Sequence, residues 1–183
     1  MQHRQTLTLR PQTRLIVALL MVPLYAVLPQ LTAAEAGAAP DTSLATIAPE
    51  QQKSWTEVPP AQRHGADQMW TFNKAEYHAT VLLTQTEIGG VTLASVIDKV
   101  LDQIDKQFAI KPEKAERQFA AANAMGYKVI YQATNRGSSR YQVQYFIPKN
   151  ERLYILTCSC KKGTELGIDF DGFADSFVPP ARK

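Results

Sequence analysis

Cysteine is nearly absent: the 183 residues hold two, Cys158 and Cys160. With none in the first 157 positions, no lipid-attachment cysteine stands near an N-terminal processing site. Histidine is almost as scarce. His64 and His78 are the only two beyond His3, and neither has the paired spacing of a zinc site or a nucleophile motif beside it. No strand–glycine loop–helix motif is present, because Gly89-Gly90 lacks the further glycines and the lysine that cradle phosphate. Asp169, Asp171 and Asp175 surround Gly172 like a fragment of a calcium loop, but no bidentate glutamate follows. Their place at a helix start is explained by the helix dipole. These absences leave no catalytic signature, no metal set and no cofactor motif, and none of the three is expected.

A strong excess of one charge is also missing. The chain has 20 Lys and Arg against 17 Asp and Glu. Residues 1–36 hold Arg4, Arg10 and Arg14 but only Glu35 among the acids, so the remainder carries 17 basic and 16 acidic residues, net +1. Nucleic-acid binding relies on a basic footprint against phosphate, and none is predicted. The N-terminal segment has a different logic. Its arginines precede an uncharged apolar run at 15–28, broken only by Pro23, and small residues ending at Ala34 and Ala36. That order is the pattern of a secretory signal cleaved near Ala36, with Ala39 a second possible cut. The alternative is an uncleaved anchor over 15–34, weakened by Pro23, Pro29 and Gln30 against the ~20 apolar residues a span needs. The predicted organisation is a signal peptide at 1–36, a flexible leader at 37–53 rich in Ala, Pro, Thr and Gln, and one domain over 54–183. The location is periplasmic or secreted.

What the domain does contain is periodicity. Leu93, Val96, Ile97, Val100, Leu101, Ile104 and Phe108 recur at steps of three and four, predicting an amphipathic helix over 92–108 with Thr92 as its cap. Strands are predicted at 77–86, 115–122, 126–134, 140–147 and 152–160. Tyr127, Val129, Tyr131 and Ala133 alternate with polar residues, as do Tyr141, Val143, Tyr145 and Ile147, although Ile130 breaks the first pattern. Short connections make the last three an antiparallel meander. A closing helix at 168–178 gathers Phe170, Phe173 and Phe177 and stops at Pro179-Pro180. The fold class is therefore α+β: an antiparallel meander covered by one long and one short helix.

Trp55 in the opening segment, the single long helix, the meander, the RLYILTC run at 152–158, Phe170 and the Asp175-Ser176-Phe177 ending together resemble the PsbP-like superfamily. That superfamily includes photosynthetic extrinsic proteins and bacterial DcrB-like envelope proteins, and the resemblance covers about residues 55–178. It implies an α/β/α sandwich and a non-enzymatic binding or assembly role. The lipobox cysteine of the DcrB-like lipoproteins is absent here, and no site residue transfers from the family.

Two groups of residues remain as candidates. Cys158 and Cys160 point the same way on a strand, with Cα atoms about 6.5–7 Å apart, at the edge of disulfide reach unless the strand end bends. They are buried small apolar residues, a redox-active pair or soft-metal ligands. Arg136, Arg140, Lys161 and Lys162 are brought to one end of the meander by its up-down-up path. Such a basic patch suits a protein partner in the envelope or an anionic membrane surface, or it serves only to discourage sheet-to-sheet pairing. Two functions follow: a non-catalytic partner-binding or assembly factor, and a thiol-dependent redox or metal-handling protein.

Overall fold

The helical stripe predicted at 92–108 folds as α2, Leu93–Phe108. Thr92 caps it by accepting from the Ser95 amide at 3.3 Å, and Ala109 closes it in the left-handed region at φ 52°. Ile97, Val100 and Ile104 bury the apolar face, while Asp102 and Lys106 pair on the wet side at 2.6 Å. The computed structural model describes residues 44–88, 90–135 and 137–180. The predicted signal at 1–36, the start of the leader and Arg136 lie outside them.

Among the described residues, seven strands form one antiparallel sheet: β1 (Trp55–Glu57), β2 (Gln68–Phe72), β3 (Thr80–Glu87), β4 (Glu113–Phe119), β5 (Ala124–Asn135), β6 (Ser138–Lys149) and β7 (Arg152–Lys161). Their spatial order is β1-β2-β3-β7-β6-β5-β4. Two meanders are therefore joined by α2, and the second returns so that β7 pairs with β3 along eight residues. The five predicted strands are β3 to β7. The two additional strands, β1 and β2, are three and five residues long, too short for alternation to stand out.

The sheet is covered on both faces, where alternation alone suggested one wet side. Register places Trp70, Val81, Cys158, Val143 and Ile130 in one row across the first face. This face is covered by Ile168, Phe170, Phe173 and Phe177 around helix α3 (Phe170–Ser176). Trp55 sits 5.2 Å from Phe173 and 5.9 Å from Phe170 between ring centroids. The second face carries Val129, Tyr131, Phe146 and Ile155, all buried. Here α2 lies along β5, with Phe108 stacked on Tyr131 at 6.0 Å. Ile130 breaks the polar alternation because it belongs to the first core, while its neighbours Val129 and Tyr131 belong to the second. The result is the expected α/β/α layering.

Residues 44–53, which the sequence pattern assigned to the leader, pack onto this domain. Thr46 bridges Val178 through two backbone hydrogen bonds of 3.1 and 2.8 Å. Gln68, itself buried, reads Ala45 through its side-chain amide, accepting from its N–H at 2.7 Å and donating to its carbonyl at 3.1 Å. Ala45 and Ile47 are in the core, and a single helical turn, α1 (Pro49–Gln52), follows. Periodicity failed here because a bridge of one residue and a four-residue helix have no period to detect. The free edge at β4 is mostly charged and exposed, EKAERQF, which discourages pairing with another sheet.

Candidate functional site

The basic end is built by register. Arg140 on β6 stands directly opposite Lys161 on β7, so the β5–β6 turn and the exit of β7 share one end of the sheet. Arg140 is half-buried and committed to the fold: its Nε donates to Ser159 Oγ at 2.7 Å and its Nη2 to the His78 carbonyl at 2.7 Å. Burial lowers its pKa, though a guanidinium starts so high that it stays charged. Lys161 and Lys162 are exposed, and among the described residues no carboxylate pairs with either.

Beyond them the chain turns tightly. Gly163 takes φ +92° and its N–H donates to the Glu165 carboxylate at 2.6 Å. Thr164 Oγ1 donates back to the Lys161 carbonyl at 2.7 Å. A 3₁₀ turn, Glu165–Gly167, presents Leu166 fully to solvent. Gly167 lies against the Tyr77 ring so closely that a Cβ would collide with it. On the same ring, the Lys74 ammonium sits 5.7 Å from the centroid.

Cys158 and Cys160 are both free and fully buried in the first core. Cys158 stands between Val81 and Val143 in the register. Burial pushes its thiol well above the ordinary value, and the Asp171 charge pushes the same way. Burial also raises Cys160, and Glu165 adds to it, outweighing the hydrogen bond from Thr164 and the Arg140 charge. Both sulfurs are therefore neutral thiols near pH 7, whereas the thiolate is the nucleophile and the metal ligand. The two histidines are exposed at turn positions with φ 51° and 46°, where His is tolerated better than most side chains. No group of three or more His, Cys, Asp or Glu able to hold a metal occurs among the described residues.

The richest polar cluster lies under α3. Asp169 caps that helix by accepting from Gly172 N–H at 2.7 Å. Two residues on, within the first turn, Asp171 meets Arg117 at 2.5 Å, Lys128 at 2.8 Å and the Tyr145 hydroxyl at 2.7 Å. Asp175 takes the other arm of Arg117 at 2.5 Å. The guanidinium also lies 5.7 Å from the Phe119 centroid and 5.8 Å from that of Tyr145. Desolvation pushes the Asp171 carboxyl up, but the hydrogen bonds from Lys128 and Tyr145 and the charges of Lys128 and Arg117 outweigh it and leave its pKa low. Tyr145 is driven upward by burial first. With Asp171 held low and Tyr145 held high, neither exchanges a proton near neutrality, and the cluster acts as a clamp fastening α3 to β4, β5 and β6. The available sequence signal was the pair Asp171 and Asp175, four apart beside an apolar helix face. Two carboxylates so placed call for cations on the sheet below.

Two surface grooves lie apart from the basic end. One, of about 710 Å³, is open and bounded by Thr46, Ile47, Pro49, Ala121, Asp175 and Val178. The other, about 630 Å³, lies beside Ile88, Val91, Thr92, Asn150, Glu151 and Arg152. The Ser176 hydroxyl beside the first is spent on the Phe173 carbonyl at 2.8 Å. No helix among the described residues is long and apolar enough to cross a membrane.

No family model and no curated protein matches the sequence. Solved structures do match. LpqN of Mycobacterium tuberculosis, a protein involved in cell envelope biogenesis, aligns with a TM-score of 0.52 at 12% identity, over 78% of this chain and 87% of LpqN. Cyanobacterial PsbP from Synechocystis sp. PCC 6803 aligns with a TM-score of 0.48 at 12% identity, over 80% of this chain and 98% of its own. At such identities the likeness to LpqN is one of fold, and the architecture found is the one the PsbP-like resemblance implied: an antiparallel sheet between one long helix and one short C-terminal helix.

Proposed function

We propose that this is an exported, non-catalytic accessory protein of the cell envelope, which works by binding at the basic end formed by Arg140, Lys161 and Lys162. The observation that carries this reading is a contrast in how charges are used. Arg117, Lys128, Asp171 and Asp175 are tied to one another, and Arg63 is buried against Glu57 and two backbone carbonyls. Lys161 and Lys162 instead project into solvent unpaired. Likeness of fold to a protein involved in envelope biogenesis supports the same reading. The neutral, enclosed thiols give the redox alternative no comparable support.

The test is site-specific photo-crosslinking from the exposed position 138, next to the Ser139 carbonyl that takes the Lys162 amide, in the compartment to which the chain is exported. A defined adduct is expected, and Lys161→Glu with Lys162→Glu should abolish it. Crosslinking unaffected by the charge reversal would refute binding at this end. Sequencing of the isolated protein should find its N-terminus just after Ala36 or Ala39, and a chain still beginning at Met1 would refute cleavage.

A further inference from the structure

The loop that follows β7 adds to the basic end a feature that charge alone does not explain. Leu166 is fully exposed, whereas the next most exposed large apolar side chain among the described residues, Met125, stands at 54%. Water penalises such a leucine, yet the backbone holds it out deliberately: Gly163, Thr164 and Glu165 fasten the turn from within, and Gly167 seats it on Tyr77. Around this tip stand Lys161 and Lys162 on one side and Lys74, across the Tyr77 ring, on the other. With Arg140 these are four cations. The carboxylates in the same stretches are Glu76, which is exposed, and Glu165, which is occupied by the Gly163 N–H.

We infer that this loop docks the protein on an anionic phospholipid surface, with Leu166 entering the interface and the lysines contacting the headgroups. The inference rests on the binding role proposed above and names the partner. A protein partner is the weaker match. Stable protein interfaces bury about 800 Å² per side around a continuous apolar core, and here one leucine is isolated among cations. A bilayer needs no matching shape. It accepts a single apolar side chain at the acyl boundary and attracts each lysine near its surface.

Sedimentation of the exported chain with phosphatidylcholine vesicles, with and without phosphatidylglycerol, tests this directly. Binding is expected only with phosphatidylglycerol and should weaken as salt is raised. Lys161→Gln with Lys162→Gln should weaken it about 25-fold, from about fivefold per lysine, and Leu166→Ser about tenfold or more. Because Trp55 and Trp70 are each only 3% exposed, Leu166→Trp supplies a reporter at the tip, and its emission should shift to the blue on anionic vesicles alone. Leu166 touches no core residue, so loss of binding in its variants is not loss of fold, and circular dichroism should stay native. No sedimentation with anionic vesicles, or binding indifferent to Leu166→Ser, overturns the proposal. If vesicles fail while the crosslink at position 138 persists, the bilayer is wrong and the accessory role stands. If both fail, the binding role at this end falls as well.

Discussion

Replacing Asp171 by alanine should destabilise the domain by about 2–4 kcal/mol, and the structure says where that figure arises. The carboxylate has three partners, Arg117, Lys128 and the Tyr145 hydroxyl. Its own side chain is 46% exposed, so each ion pair is screened and contributes no more than ~1 kcal/mol. The hydroxyl is different, because Tyr145 is fully buried. Leaving its donor without an acceptor costs about 1–3 kcal/mol, more than either screened pair. Urea unfolding should register the change as a midpoint lowered by roughly 1–2 M at an ordinary slope of about 1–3 kcal/mol/M. The apportioning can be checked by a double-mutant cycle. Tyr145→Phe should cost about 1 kcal/mol in the native protein but should restore about 1–3 kcal/mol when Asp171 is already alanine, since it removes the orphaned buried hydroxyl. The pH dependence has a definite sign. A carboxyl held below its ordinary value of 3.8 stabilises the fold above that pH and loses the contribution as pH falls through the lower folded value. Asp171→Asn should flatten that acid limb. A loss under ~0.5 kcal/mol for Asp171→Ala, or Tyr145→Phe costing the same in both backgrounds, would refute the clamp.

Neither thiol should react with a thiol reagent in the native protein, and two should react after unfolding; Cys158→Ser should cost about 1–3 kcal/mol by placing a hydroxyl among Val81 and Val143. Rapid native labelling of either sulfur would return the redox alternative to consideration. Ile47→Ala should cost about 2–4 kcal/mol in thermal or urea unfolding, as for other core isoleucines, because Ile47 is only 5% exposed. A chain shortened to begin at residue 54 that unfolds at the same midpoint would show that 44–53 does not belong to the folding unit.

Legibility in the sequence tracked the range over which the determining interaction acts. The helix at 92–108 could be read to within one residue because its cap, its stripe and its wet-side pair are all local. The strands β5 and β6 could be read because alternation over seven residues is visible without knowing the partner, whereas β3 was read from its β-formers and β4, at Glu113–Phe119, lies two to three residues before the predicted 115–122. Pairing order was partly readable: short connections made neighbours of β5, β6 and β7, but nothing local marks β3 as the strand that β7 joins. The clamp under α3 was not readable, because Arg117 and Asp175 are 58 positions apart, and Lys128 and Asp171 are 43 apart. Arg117 and Lys128 become neighbours only once β4 pairs with β5, and Lys128 meets Tyr145 only once β5 pairs with β6.

The basic end shows the same limit from the other side. Register correctly implied that Arg140 and Lys161 arrive together, yet no pattern in the chain distinguishes a cation aimed at solvent from one fastened to a backbone carbonyl. Arg140 found the His78 carbonyl and Ser159, while Lys161 and Lys162 found nothing. That asymmetry decides which substitutions are informative. Removing Arg140 frees the exposed His78 carbonyl and the buried Ser159 hydroxyl and so perturbs the sheet junction between β3, β6 and β7 along with any binding. Changing Lys161, Lys162 or Leu166 alters the surface alone. A binding defect produced by Arg140→Gln therefore carries no weight unless the exposed pair reproduces it, and binding at this end stands or falls with residues that hold nothing else together.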